Sequence, residues 1–290
     1  MEIDPKELKI PQLHSLLLGS VGPRPIAFAS TIDALGNPNL APFSFFNVFS
    51  ANPPILIFSP ARSGRTNTNK HTFENVKEVA EVVINIVNYQ MVHQMSLASS
   101  EYPKGTDEFI KSGLTPVVSK TVKPFRVKES PVQLECKVNQ IVELGTGGGA
   151  GNLIICEVLW MHVNDSVLNQ NGSIDQQKID LVSRMGGNWY CRAHGEALFE
   201  IEKPLTVLGV GVDAIPDFIK NSRFLEPNDL GQLGGIEQLP VQAEIDEYYQ
   251  ANPELRNLPT NELHTLAKKL LAKNQIKEAW LTLMRSGLSV

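Results

Sequence analysis

The chain has 290 residues, 42% of them hydrophobic, and a formal net charge of −5. That composition suits a globular protein with one large domain, or a domain plus an extension. The acidic balance excludes a general attraction to nucleic acid or anionic membrane, so any cationic site must be local. No apolar run approaches the roughly 20 residues that span a bilayer. The start, Met1-Glu2-Ile3-Asp4-Pro5-Lys6, is acidic where a signal peptide is basic and then apolar. Cys136, Cys156 and Cys191 are odd in number and lack C-x-x-C spacing, which points to free thiols in a reducing compartment. A soluble, cytoplasmic protein is expected.

In chain order, residues 1–20 read as a polar start with a short apolar turn at Leu16-Leu17-Leu18. Val21-Gly22-Pro23-Arg24-Pro25 is stiff, because proline fixes φ and biases its predecessor to extended geometry. Ile26 to Thr31 alternates as a strand. Asp33 to Pro38 supplies the turn residues of a hairpin that returns through Leu40 to Val48. Pro53-Pro54 then feeds Ile55-Leu56-Ile57-Phe58, a short apolar run expected to complete a meander.

Next comes a loop with Arg62, Arg65, Lys70 and the hydroxyls of Ser59, Ser63, Thr66, Thr68 and Thr72. It opens into an amphipathic helix predicted over 72–81. A helix start offers free N–H groups and the positive end of the dipole, and Arg or Lys adds full charge, so this loop suits a phosphate. A solvated loop with an ordinary N-cap at Asn69 or Thr72 is the alternative. Just before it, Ser44-Phe45-Phe46-Asn47 could hold the flat end of a phosphorylated cofactor.

Val82 to Val87 reads as a strand, Met91 to Ser99 as a helix, and Asp107 to Ser112 as a short helix stopped by Gly113. Val132 to Leu144 and Asn152 to Val163 are long β-rich runs joined by Gly145-Thr146-Gly147-Gly148-Gly149-Ala150-Gly151. That glycine run imitates a dinucleotide fingerprint, but a strand follows where a helix is required, so it is a hairpin loop. In the second run Cys156, Val158, Trp160 and His162 share one face and Ile155, Leu159, Met161 and Val163 the other. A strand apolar on both faces is expected to be sandwiched, by a helix or by a second subunit. Short strands with few long helices favour a closed or split barrel over a doubly wound sheet.

A short helix is expected over 176–181. After it, Arg184-Met185-Gly186-Gly187-Asn188-Trp189-Tyr190 could wall a pocket, or its aromatics could pack a lid while Arg184 faces solvent. Beyond Phe199 the chain is loop-rich, and three helix patterns follow Pro240. In the middle one Leu263, Leu266, Ala267, Leu270 and Leu271 form a stripe that suits the core of a small helical cap, or a partner-binding face. The six histidines have no metal-ligand spacing, so no metal is assigned.

Arg24-Pro25-Ile26-Ala27-Phe28-Ala29-Ser30-Thr31, Asn39 to Asn47, Asn52-Pro53-Pro54 and Lys70-His71-Thr72 resemble the flavin reductase-like family, which includes flavoredoxin-type proteins. The similarity continues through Thr106-Asp107-Glu108-Phe109, Ser112-Gly113-Leu114-Thr115, Glu129-Ser130-Pro131 and Glu135-Cys136. It implies a mainly β FMN-binding split β-barrel over 1–200, with a loop-rich and helical extension over 201–290. By this resemblance Ser44, Phe45, Phe46 and Asn47 line the isoalloxazine and ribityl chain, and Ser30 and Thr31 reach it from the neighbouring strand. Ser59, Arg62, Arg65, Lys70 and Thr72 hold the phosphate and ribityl end. Arg184, Trp189 and Tyr190 are candidates for a substrate pocket. His71 departs from relatives that carry an acidic residue there, so no carboxylate role transfers.

The resemblance implies an oxidoreductase that moves electrons from NAD(P)H through FMN to a small-molecule or protein acceptor. The sandwiched strands and the family's shared flavin site point to a homodimer. A non-catalytic FMN electron carrier is the second reading. A helical-cap interaction protein that has lost flavin is the third, and the retained basic loop argues against it.

Overall fold

The computed structural model describes residues 1–201, 203 and 208–285. It divides into two compact units, Met1–Phe199 and Glu200–Val290.

The first unit opens with helix α1 (Ile10–Ser20), where the sequence predicts only a polar start and a short turn. None of its residues is buried, and Ile10, Leu16 and Leu17 are exposed. Without a one-sided apolar stripe, periodicity gives no helix signal. Strands β1 (Ala27–Ile32), β2 (Pro38–Phe43), β3 (Phe46–Ala51) and β4 (Pro54–Phe58) follow. Helix α2 (His71–Glu78) leads into β5 (Glu81–Ile86), then α3 (Val92–Leu97) and α4 (Glu108–Ser112). Asp107 caps α4 by accepting from Phe109 N–H, and Gly113 ends it in the left-handed region at φ 66°. The short strands β6 (Pro116–Val117) and β7 (Arg126–Val127) precede the long β8 (Val132–Glu143) and β9 (Asn152–Val163). Helix α5 (Gln176–Ile179) and the hairpin β10 (Val182–Arg184) and β11 (Tyr190–Arg192) complete the secondary structure that positions the site.

Seven strands form one sheet in the order β2-β1-β5-β8-β9-β4-β3, with every pair antiparallel. The predicted single strand over Leu40 to Val48 is two strands, broken at Ser44-Phe45, and these lie at opposite edges of the sheet. The expected meander is therefore absent: β4 pairs with β3 and β9, far from β2. A continuous β-rich run hides such a break, because its residue types suit either half.

The β8–β9 hairpin joins two half-sheets. Strand β5 pairs with Gln133 to Lys137 near the start of β8, whereas β4 pairs with Ile154 to Glu157 in the first half of β9. One register shift, at Glu135/Cys136, falls within the stretch paired with β5, and the other, at Val138/Gln140, lies opposite the stretch of β9 paired with β4, so the hairpin bends along both halves. Alternation along β1 serves two cores. Ala27 and Ala29 join Leu56, Phe58, Val82, Ile84, Leu134 and Cys136 on one face. Ile26 and Phe28 join Met91, Met95 and Phe109 from the α3–α4 region on the other. In the second half of β9, Leu159, Trp160 and Met161 are all exposed on the single chain.

The second unit contains α6 (Asp217–Lys220), α7 (Pro227–Leu233), α8 (Gln242–Ala251), α9 (Thr260–Leu271) and α10 (Ile276–Met284). The three helices predicted after Pro240 are present, and α7 lies in a stretch read as turns. In α9, Leu263, Ala267 and Leu271 are buried, with Leu266 and Leu270 packed beside them. The stripe is therefore core. Among the described residues, no helix is long and apolar enough to cross a membrane.

Candidate functional site

A cleft of about 270 Å³ opens where the basic loop meets the start of α2. Lys70 is the N-cap of that helix, in place of the predicted Asn69 or Thr72, and makes no side-chain cap bond. A lysine carries donors only, so it cannot serve the helix's free N–H groups. Those of His71 and Thr72 have no acceptor within the helix. Lys70, His71 and Thr72 line the cleft together with Ser63, Thr66, Thr68 and Asn69. The sum is a concave surface of cation, hydroxyls and free amides, the donor set a phosphate requires.

The predicted cations divide by task. Arg62 turns inward: Nε donates to Asn67 Oδ1 (2.8 Å), Nη1 to Asn69 Oδ1 (2.8 Å) and Nη2 to the Asn67 carbonyl (2.6 Å). It shapes the loop, holding Asn67 at φ 55°. Arg65 and Lys70 reach the far wall, where both meet the carboxylate of Glu101, at 2.6 and 3.4 Å. Burial lowers the His71 imidazole pKa, and the charges of Lys104 and Lys70 lower it further.

The loop is held from behind by the glycine-rich β8–β9 turn. Arg62 N–H donates to the Ala150 carbonyl (2.9 Å), Gly149 N–H to the Arg62 carbonyl (3.1 Å), and Asn67 Nδ2 to the Thr146 carbonyl (3.0 Å). Ser59 belongs to this brace: its hydroxyl accepts from Asn152 N–H (3.0 Å) and its N–H donates to the Phe45 carbonyl (2.8 Å).

Thr72 lies in the cleft floor and Thr31 behind it, both buried, and Asn39 Nδ2 donates to Thr72 Oγ1 (2.9 Å) and Thr31 Oγ1 (3.4 Å). Asn75 Nδ2 adds a bond to Thr31 (3.2 Å). Ser30 is fully buried and its hydroxyl has no partner. The cleft wall is made by Ala41, Pro42 and Phe43, just before the segment read as lining a flavin, and Ser44, the first residue of that segment, lies outside it. Phe46 packs toward the core, while Phe45 is exposed edge-on to His14 and Asn47 accepts from Val48 N–H. These three lie outside the cleft wall.

Arg184, Trp189 and Tyr190 also lie apart from the cleft, on the β10–β11 hairpin. The Arg184 guanidinium sits 4.5 Å from the Tyr190 ring centre, and Trp189 is 77% exposed. Gly186 lets this turn approach α1 closely, since an added Cβ would stand 3.1 Å from Gly19 Cα.

Sequence reasoning missed Asn39 as a floor residue and the whole wall contributed by residues 98–108. Glu108, buried there, accepts from Leu40 N–H (3.0 Å) and fixes β2 against α4. Burial raises its carboxyl pKa. The Thr106 to Phe109 motif marked this neighbourhood, but nothing local placed Glu101 opposite Arg65.

A split antiparallel sheet with a polar cleft of hydroxyls, a lysine and free amides at a helix start defines the class: a β protein with a candidate ligand site beside that helix. Within that class the chain belongs to the flavin reductase-like family, whose flavin reductase like domain matches residues 19–178. A protein of Aquifex aeolicus is 38% identical over 201 residues, covering 69% of this chain and 100% of the relative. Nitrilotriacetate monooxygenase component B from Bacillus cereus superposes with a TM-score of 0.65 and 30% identity, covering 69% of this chain and 98% of that one. A split barrel domain protein from Shewanella frigidimarina gives 0.58 and 28%, over 69% and 96%. The fold is the split β-barrel of this family, with a helical extension after it.

Proposed function

We propose that this protein is an FMN-dependent oxidoreductase that passes electrons from NADH or NADPH through the flavin to a small-molecule or protein acceptor, as a homodimer. The observation that carries the reading is the uncapped start of α2 with Lys70, Arg65 and three loop hydroxyls around it, in a chain of this family. Lys70, Arg65 and the N–H groups of His71 and Thr72 hold the phosphate. Arg62, Ser59, Thr31 and Thr72 keep that grip in shape, and Ala41 to Ser44 pack against the ring side. Bound FMN supplies the redox chemistry, with a hydride accepted from the nicotinamide, so the protein needs no general base. The exposed Arg184–Trp189–Tyr190 hairpin meets the nucleotide or the acceptor.

The test is an absorbance spectrum after loading with FMN and desalting, followed by anaerobic NADH and NADPH. Retained flavin bands bleached by one nucleotide are expected. Flavin that stays oxidised with both would make the protein an electron carrier instead. Lys70→Ala should weaken FMN binding about ten- to a hundredfold, the value of one charge-assisted phosphate contact.

A further inference from the structure

Resting on that reading of the cleft, the geometry points to Glu101 as the residue that sets how strongly the site prefers a phosphorylated flavin. Two cations of the loop, Lys70 in the cleft wall and Arg65 beside it, are both engaged by one carboxylate. Arg65 Nη2 lies 2.6 Å from Glu101 Oε2, and Lys70 Nζ lies 3.4 Å from Glu101 Oε1. Each oxygen takes one cation, as two oxygens of a phosphate would. Glu101 is also in the wall of the same cleft as Lys70, His71 and Thr72, on the side facing the helix start. It is therefore an internal anion on the ligand's own partners.

A bound phosphate must displace this carboxylate or share the cations with it, and sharing places like charges together. Displacement is easy, because the side chains of Arg65, Lys70 and Glu101 are 80%, 40% and 59% exposed, and exposed ion pairs are weak. Glu101 thus keeps the cations oriented while the cleft is free and lowers the affinity for the phosphate when it arrives. The consequence is an exchangeable flavin, held less tightly than the cations alone would hold it. Riboflavin has the same ring but no phosphate, so Glu101 should leave its binding alone. The residue acts on the difference between the two.

The experiment is a fluorescence titration of the full chain and its Glu101→Gln variant with FMN and with riboflavin, with FMN dissociation followed by stopped flow. Glu101→Gln should bind FMN about three- to tenfold tighter, with slower release and unchanged riboflavin affinity. Unchanged or weaker FMN binding would overturn the inference, and so would an equal gain for riboflavin. Failure of the underlying reading looks different. In that case Lys70→Ala, made alongside, leaves FMN affinity untouched, and the role of Glu101 falls with the site. Loss in Lys70→Ala without a gain in Glu101→Gln would retain the phosphate site and remove Glu101 from it.

Discussion

Glu135 shows how far one side chain can depart from its ordinary chemistry. It is fully buried on β8, which alone would raise its carboxyl pKa. Four donors reverse that: the Thr121 hydroxyl (2.6 Å), Lys120 N–H (2.7 Å), His162 Nε2 (2.6 Å) and Thr121 N–H (2.5 Å). The folded value falls from 4.5 to about 2. Because the folded pKa is depressed, the ionised carboxylate stabilises the fold fully above the unfolded value and loses that contribution as pH falls from about 4.5 to about 2. Its size is about 3 kcal/mol. Denaturant unfolding of the native protein and Glu135→Gln should therefore show a stability gap at pH 6 that closes toward pH 2.5. A constant gap would mean that the ionised state of Glu135 does not carry the clamp. Sequence marked this residue only through the family resemblance. Three of its donors come from the loop at Lys120 and Thr121 and the fourth from His162 on β9; their approach to β8 depends on the folded sheet, and no local spacing reveals that.

At the scale of elements, legibility followed locality. The boundaries of β8 and β9 were readable because glycines bound two long β-rich runs, and α4 because Asp107 and Gly113 mark its ends. The edge-to-edge crossing between β2 and β3 was not, since strand order is set by partners far along the chain. The basic loop was readable as a candidate anion site, but its brace was not. Gly148 is part of that brace: a Cβ there would stand 3.1 Å from the Ser63 carbonyl oxygen and 3.3 Å from that of Gly64. Both neighbours are backbone, so the loop itself would have to move by a few tenths of an ångström. Gly148 does not adopt a positive φ, which makes the contact the whole effect. Overpacking of this kind costs about 1 kcal/mol. Gly148→Ala should weaken FMN binding about fivefold with riboflavin binding and circular dichroism unchanged. Equal losses for both flavins would show that the turn supports the whole fold and not the phosphate grip.

At the scale of the molecule, each unit has its own core: the two faces of the sheet in the first, and in the second α6, α7, α9 and α10 packed around Trp280, Leu233 and Leu271, with α8 joining a cluster around Tyr249, Leu263 and Leu281. The family match lies in the first unit, as does the cleft, so the proposed chemistry draws on residues before Phe199. What that unit leaves open is the far half of β9. Strand β4 stops pairing at Glu157, so the next residues have β8 on one side and, among the described residues, no strand on the other. Leu159, Trp160 and Met161 are 44%, 41% and 55% exposed along that edge. An unpaired strand edge with apolar side chains on both faces is a liability unless something covers it. Lys120 covers part of it, its Nζ lying 3.4 Å from the centre of the Trp160 ring. A second copy is the cover proposed here, in keeping with the sandwiched strand that the sequence leads one to expect. Sedimentation equilibrium at micromolar concentration should give a dimer, and Met161→Lys should raise its dissociation constant at least about tenfold, since a buried unpaired charge at an interface costs more than 1.4 kcal/mol. Flavin-free protein should behave the same way, because these residues lie outside the cleft wall. A monomer at that concentration, or a dimer indifferent to Met161→Lys, would require another cover for this edge.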